Sequence, residues 1–154
     1  MNKKLEMIKN LRLHLLKQIE SLTSQQLNNI PIGYNNNIIW NLAHVICASQ
    51  NMCYVRANLP IAVDDQYFSP FMPGTKPEKS VSDSEIKNIK ELLITSIDKL
   101  QLDLDNKAFE NYSPSVMIPK VYGFEVNNID DALNYLLYHE GIHAGYILSM
   151  KNLL

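Results

Sequence analysis

The 154-residue sequence predicts an all-α fold, a four-helix bundle, on three observations. Four segments repeat apolar residues at three- and four-residue steps. Three of them follow a residue suited to capping a helix. Pro- and Gly-bearing stretches separate them, two of them long.

The first segment runs from about Lys3 to Leu22 on the stripe Leu5, Ile8, Leu11, Leu15, Ile19 and Leu22. Thr23 and Ser24 can cap a short turn over Gln25–Asn29, before Pro31 and Gly33 interrupt the chain. Asn35, Asn36 and Asn37 each suit the cap of a second segment, Ile38 to about Asn58, which stops before Pro60. It carries two adjacent stripes, Ile38/Leu42/Val45/Met52 and Trp40/His44/Cys47/Ala48, and so predicts a helix buried against more than one neighbour. Residues 60–82 form a long connection with Tyr67, Phe68 and Phe71. Such a loop packs over the core or over the mouth of a site. Ser82 or Asp83 opens the third segment, with Glu85 placed for a capping box, and Ile86, Ile89, Leu93, Ile97, Leu100 and Leu104 form its stripe. A second long loop spans roughly 106–128. Asn128 then caps the last segment, with Asp130 and Asp131 favourably placed in its first turn, and the helix reaches about Leu153.

The length argues for a single domain over residues 1–154. With 46% hydrophobic and 19% charged residues, the composition is that of a globular chain rather than a disordered one. A net charge of −2 and only two arginines, Arg12 and Arg56, disfavour nucleic-acid binding, which requires clustered cations. The basic start is interrupted by Glu6, Lys9 and Asn10, so no signal-peptide core forms, and no apolar run is long enough to span a membrane. Cys47 and Cys53 would lie about 9 Å apart along one helix, too far for a disulfide. A reducing, cytoplasmic setting is the expectation.

The last segment carries the chemistry. Its stripe Ile129, Leu133, Leu136, 140, 143, Ile147, Met150, Leu154 should be apolar throughout, yet positions 140 and 143 are Glu140 and His143. Buried polar groups are costly unless satisfied. His139 stands one turn before His143, on the same side of the helix. Two imidazoles at that spacing can chelate one ion, although a hydrogen-bonded pair would share the pattern. His44, on the inward Trp40/Cys47/Ala48 face, supplies a third imidazole, and one divalent metal would satisfy all three. His14, among Asn10, Lys17 and Gln18, should face solvent. Cys47 reads as a small core residue. Three neutral nitrogen ligands leave coordination positions open, as in reactive sites. Zinc and nickel suit imidazole; iron and copper are compatible with it. A rival reading takes His139-Glu-Gly-Ile-His143 as the HExxH signature, with Glu140 as general base. It ranks lower, because no His, Asp or Glu follows His143 to complete a zincin site. Glu140 is better read as a hydrogen-bond acceptor supporting a ligand, or as a polar helix contact.

Three stretches carry a family resemblance: Leu22–Gly33 (LTSQQLNNIPIG), Asn37-Ile-Ile-Trp-Asn-Leu-Ala-His44, and His139-Glu-Gly-Ile-His143-Ala-Gly-Tyr-Ile147. In order and spacing they resemble the DinB/YfiT-like family of helical-bundle proteins. The resemblance implies an up-up-down-down bundle, commonly a homodimer, with a divalent metal on His44, His139 and His143. Relatives include thiol-dependent transferases and a maleylpyruvate isomerase, in which the metal holds and deprotonates bacillithiol, mycothiol or a similar thiol. Tyr146 departs from the family pattern, which often has Gln there. The expected function is a metal-dependent transferase activating a low-molecular-weight thiol, with Tyr67, Phe68, Tyr122 and Tyr146 as candidate pocket lining. A non-catalytic metal-binding or stress-associated protein and an HExxH hydrolase are the alternatives.

Overall fold

The computed structural model describes residues 1–154 and is entirely helical. Four long helices dominate. Helix α1 spans Lys3–Gln18, α3 Ile38–Ser49, α4 Asp83–Asp105 and α6 Ile129–Lys151; the short α2 (Ser24–Asn28) and α5 (Ile118–Tyr122) lie in the connections. The capping chemistry read from the sequence operates. Asn37 Oδ1 accepts from Trp40 N, Asn128 Oδ1 accepts from Asp131 N, and Ser82 with Glu85 closes a capping box at α4. Thr23 and Gln26 form a second box at α2.

The second segment is helical to Ala57 but not uniformly α. After Ser49 it widens into a π turn over Gln50–Tyr54 and tightens into a 3-10 turn over Val55–Ala57. Asn58, in the left-handed region at φ 57°, ends it. Every residue from Ile38 to Ser49 is buried, because α3 has neighbours on several sides.

Helices α1 and α3 each pack against both α4 and α6, so the four surround a common interior with α1 and α3 on opposite corners. Their directions follow from the pairs they form. Lys4–Asp130, Arg12–Glu140 and Gln18–Lys151 run in step along α1 and α6, so these two are parallel. Asn2–Gln101 and Lys9–Asp98 make α1 and α4 antiparallel. Asn41 meets both His143 and Met150, which with the shared core sets α3 against α6. The chain order is therefore up, down, down, up, which corrects the up-up-down-down order that the resemblance implied. Two connections cause this. The 19–37 stretch stays at one end, with Asn37 Nδ2 donating to Asn28 O, so α3 must return from where α1 stopped. The 58–82 connection travels back along α3, so α4 starts where α3 started.

The interior is two apolar clusters. One gathers Leu15, Ile19, Ile38, Leu42, Ile46, Ile89, Leu93, Ile147 and Met150, and the other Leu5, Ile8, Met52, Ile97, Leu100, Leu133 and Leu136. On every long helix the change from one cluster to the other falls at the same level. There Arg12, Ser96 and Glu140, at 0%, 4% and 1% exposure, form a polar layer. The chain from 60 to 82 makes two 3-10 turns, Asp65–Tyr67 and Ser69–Phe71, and buries Tyr67 and Phe71 against α3.

Candidate metal centre

The three histidines converge beside the polar layer. Ligand-capable atoms of His44, His139 and His143 all lie within 4.8 Å of one another. Ring centroids are 4.4 Å apart for His139/His143, 4.7 Å for His44/His143 and 5.2 Å for His44/His139. The i, i+4 spacing on α6 sets the first separation, and the antiparallel packing of α3 on α6 sets the other two. His14 is exposed and takes no part.

Two of the rings are held so that a lone pair faces inward. His44 Nδ1 lies 2.6 Å from Phe71 O. A carbonyl only accepts, so the proton sits on Nδ1 and the Nε2 lone pair is free. His143 Nδ1 lies 2.8 Å from Asn41 Oδ1. Asn41 Nδ2 already donates to Asn37 O, at 2.8 Å, and to Asn36 Oδ1, which turns Oδ1 towards His143 and frees that ring's Nε2 as well. Metal-binding histidines characteristically donate their other N–H to such acceptors. Trp40 covers the outer face of His44, stacked 4.7 Å away at an interplanar angle of 10°.

Burial removes the charge from these rings. It pushes His139 down to about 2, with His143, His44 and Arg12 adding repulsion. It pushes His143 down to about 4, with His44 adding to the effect. His44 is lowered too, by burial, with the Phe71 carbonyl opposing. All three are therefore neutral at pH 7 and offer nitrogen lone pairs. His139 Nδ1 is buried without a hydrogen-bond partner. An orphaned buried nitrogen beside two inward lone pairs fits a cation.

Glu140 occupies a different place. Its Oε1 accepts from Arg12 Nε at 3.0 Å and from Arg12 Nη2 at 2.5 Å, and it bonds to no histidine. Burial pushes its carboxyl up while the Arg12 guanidinium pulls it down. Arg12 was not a candidate in the sequence reading, which gave Leu11 to the α1 stripe. The structure gives the innermost position at that turn to Arg12 and leaves Leu11 half-buried. Its signal was available: 5, 8, 12, 15 and 19 repeat as regularly as 5, 8, 11, 15 and 19.

The aromatic candidates divide. Tyr146, 48% exposed, lies 6.2 Å from the His143 ring and meets Tyr34 edge-on. Tyr122 belongs to a group with Phe124, Tyr135 and Tyr138, of which Tyr135 reaches His139 at 5.4 Å. Tyr67 instead lines a cavity of about 680 Å³ bounded by Asn37, Trp40, Phe71, Thr75 and Ile89, which none of the three histidines lines. Phe68 is half-buried against the core beside it. Sequence reasoning did not single out Asn41, Tyr34, Tyr135 or the Phe71 carbonyl. Of these, Asn41 gave a signal, a polar residue inside an otherwise apolar inward face.

No curated protein matches the chain. A sequence model of the DinB superfamily matches residues 8–147. That span takes in Arg12, Asn41, His44, the His139/His143 pair, the whole of α3 and α4 and most of α1 and α6. The chain belongs to the DinB superfamily.

Proposed function

We propose that the chain binds a divalent metal through His44, His139 and His143 and acts as a metal-dependent transferase on a low-molecular-weight thiol. The observation that carries this reading is the convergence of three neutral, buried imidazoles, one with a nitrogen that no protein group satisfies. An ion held there, zinc or nickel by the chemistry of imidazole, would supply a Lewis acid that lowers the pKa of a thiol. The protein groups have separate tasks. The Phe71 carbonyl and Asn41 Oδ1 fix the His44 and His143 rings, and Trp40 shields His44 from water. Tyr146, half-exposed beside His143, would orient the organic part of the thiol.

Three observations favour this over its rivals. A closed structural site takes four protein ligands, and only three residues gather here. The chain's own thiols are poor nucleophiles, since burial pushes Cys47 and Cys53 up to about 12, so the thiol comes from a second molecule. A hydrolase using Glu140 as base would need a carboxylate poised at the ion, but Glu140 is ion-paired to Arg12 through Oε1, and its Oε2 is buried and bonds to no histidine. We read the four long helices as a single-domain four-helix bundle over residues 1–154, working as a homodimer. The free, buried cysteines suit the cytoplasm.

The test is turnover of monochlorobimane with cysteine, glutathione or bacillithiol, with and without Zn²⁺ or Ni²⁺. The expected result is a metal-dependent acceleration with at least one thiol, lost in His139→Ala. A protein carrying one ion per chain that accelerates none of them would refute the transferase reading and leave metal binding standing.

A further inference from the structure

Arg12 uses every N–H it has. Nε donates to Glu140 Oε1, at 3.0 Å. One terminal nitrogen, Nη1, donates to Leu93 O at 2.9 Å and to Ser96 Oγ at 3.3 Å. The other, Nη2, donates to Val45 O at 3.0 Å and to Glu140 Oε1 at 2.5 Å. A guanidinium has five N–H donors in a fixed planar fork, and all five are engaged. The side chain is fully buried, starts on α1 and touches α3, α4 and α6.

The positions it grips are not arbitrary. Val45 follows His44, and Glu140 follows His139. One rigid group therefore ties the α3 backbone beside the first histidine to the α6 side chain beside the other two. Neither Arg12 nor Glu140 bonds to a histidine ring. With no direct bond to the rings, the pair acts on the ligand geometry through the separation and rotation of α3 and α6.

We propose that Arg12, with Glu140, is a positioning residue that sets the spacing of His44 against His139 and His143 before the ion arrives. This rests on the three-histidine metal reading above. Ligands already at their bound spacing lose little freedom on binding, which is the general source of affinity from pre-organisation. A mere stabilising role would be met equally by an apolar filling, because buried ion pairs are commonly replaced by hydrophobic residues without loss of stability. The two roles therefore separate in one variant.

The experiment is Co²⁺ titration of metal-free protein against a chromogenic competitor, with the visible d–d spectrum recorded, in wild type and in Arg12→Met/Glu140→Leu. Thermal unfolding of the same metal-free samples is recorded alongside. The expected result is a double variant that unfolds near the wild-type temperature but binds Co²⁺ at least about tenfold more weakly, with a shifted or weakened d–d band. Wild-type affinity and spectrum in a folded double variant would overturn the proposal. Should the double variant not fold, Arg12→Lys replaces it: a lysine keeps the charge but cannot bridge the same four groups. It is expected to lose affinity by a similar factor, and an unchanged Arg12→Lys affinity and spectrum would overturn the proposal. A wild-type protein that binds no Co²⁺ would sink the metal reading itself, a different outcome from either.

Discussion

Glu140→Leu leaves the Arg12 guanidinium buried at 0% exposure with its counter-charge gone. An arginine cannot shed its proton to escape, so the cost is that of an uncompensated buried charge, about 3–5 kcal/mol. Two of the five hydrogen bonds vanish with the carboxylate, while those to Val45 O, Leu93 O and Ser96 Oγ remain, which places the expected loss near the lower half of that range. At about 2.1 cal/mol/K of unfolding entropy per residue, a chain of 154 residues shifts its melting temperature by about 3 °C per kcal/mol. Glu140→Leu should therefore melt about 10 °C below wild type, and Arg12→Met/Glu140→Leu should recover most of that difference. Calorimetry on the metal-free proteins reads both. A shift of about 3 °C or less (roughly 1 kcal/mol or below) in Glu140→Leu would refute the reasoning. So would a double variant as unstable as the single one.

Acid should destabilise the metal-free protein through the histidines. Their folded pKa values lie below 6.5, so the unfolded chain takes up protons first as pH falls. The stability they hold is complete above pH 6.5, falls between there and about 4 for His143, and continues falling towards about 2 for His139. At pH 5 each of these two rings should have cost roughly 2 kcal/mol, measured by urea unfolding against pH 7; equal stability at the two pH values, or the same loss in His139→Leu/His143→Leu, would contradict this. Asn41→Leu removes the acceptor for His143 Nδ1 and should weaken metal binding about 10- to 100-fold; isothermal titration showing an unchanged affinity would count against the role given to that amide. Trp40 is the sole tryptophan and stacks on His44, so paramagnetic Co²⁺ or Ni²⁺ should quench its fluorescence in step with binding, and emission that stays constant through a saturating titration would place the ion elsewhere.

Much of the site was legible because the residues that carry it break a pattern. His143 and Glu140 stand where the α6 stripe demands apolar side chains, and both prove buried. His44 sits on an inward face, and burial of all twelve residues of α3 agrees with its two adjacent stripes. The caps at Asn128 and Ser82 were readable because capping is a contact between residues three apart. What escaped depends on distant partners. Position 12 fits the α1 stripe as well as position 11 does, and only the presence of Glu140 across the interior decides between them. The π turn at Gln50–Tyr54 has no sequence marker of its own. Helix direction was hidden in the path of two loops. Of the 60–82 aromatics, Tyr67 and Phe71 pack on the core, and the Phe71 carbonyl holds His44.

The metal content of the protein bears on all of this most directly. Purified without a histidine tag and loaded with Zn²⁺ or Ni²⁺, then exhaustively desalted, the wild-type chain should retain one ion by elemental analysis. His44→Ala should retain far less while keeping its helical circular dichroism. Wild-type protein that emerges with no metal, or a folded His44→Ala that holds as much as wild type, would contradict the three-histidine centre.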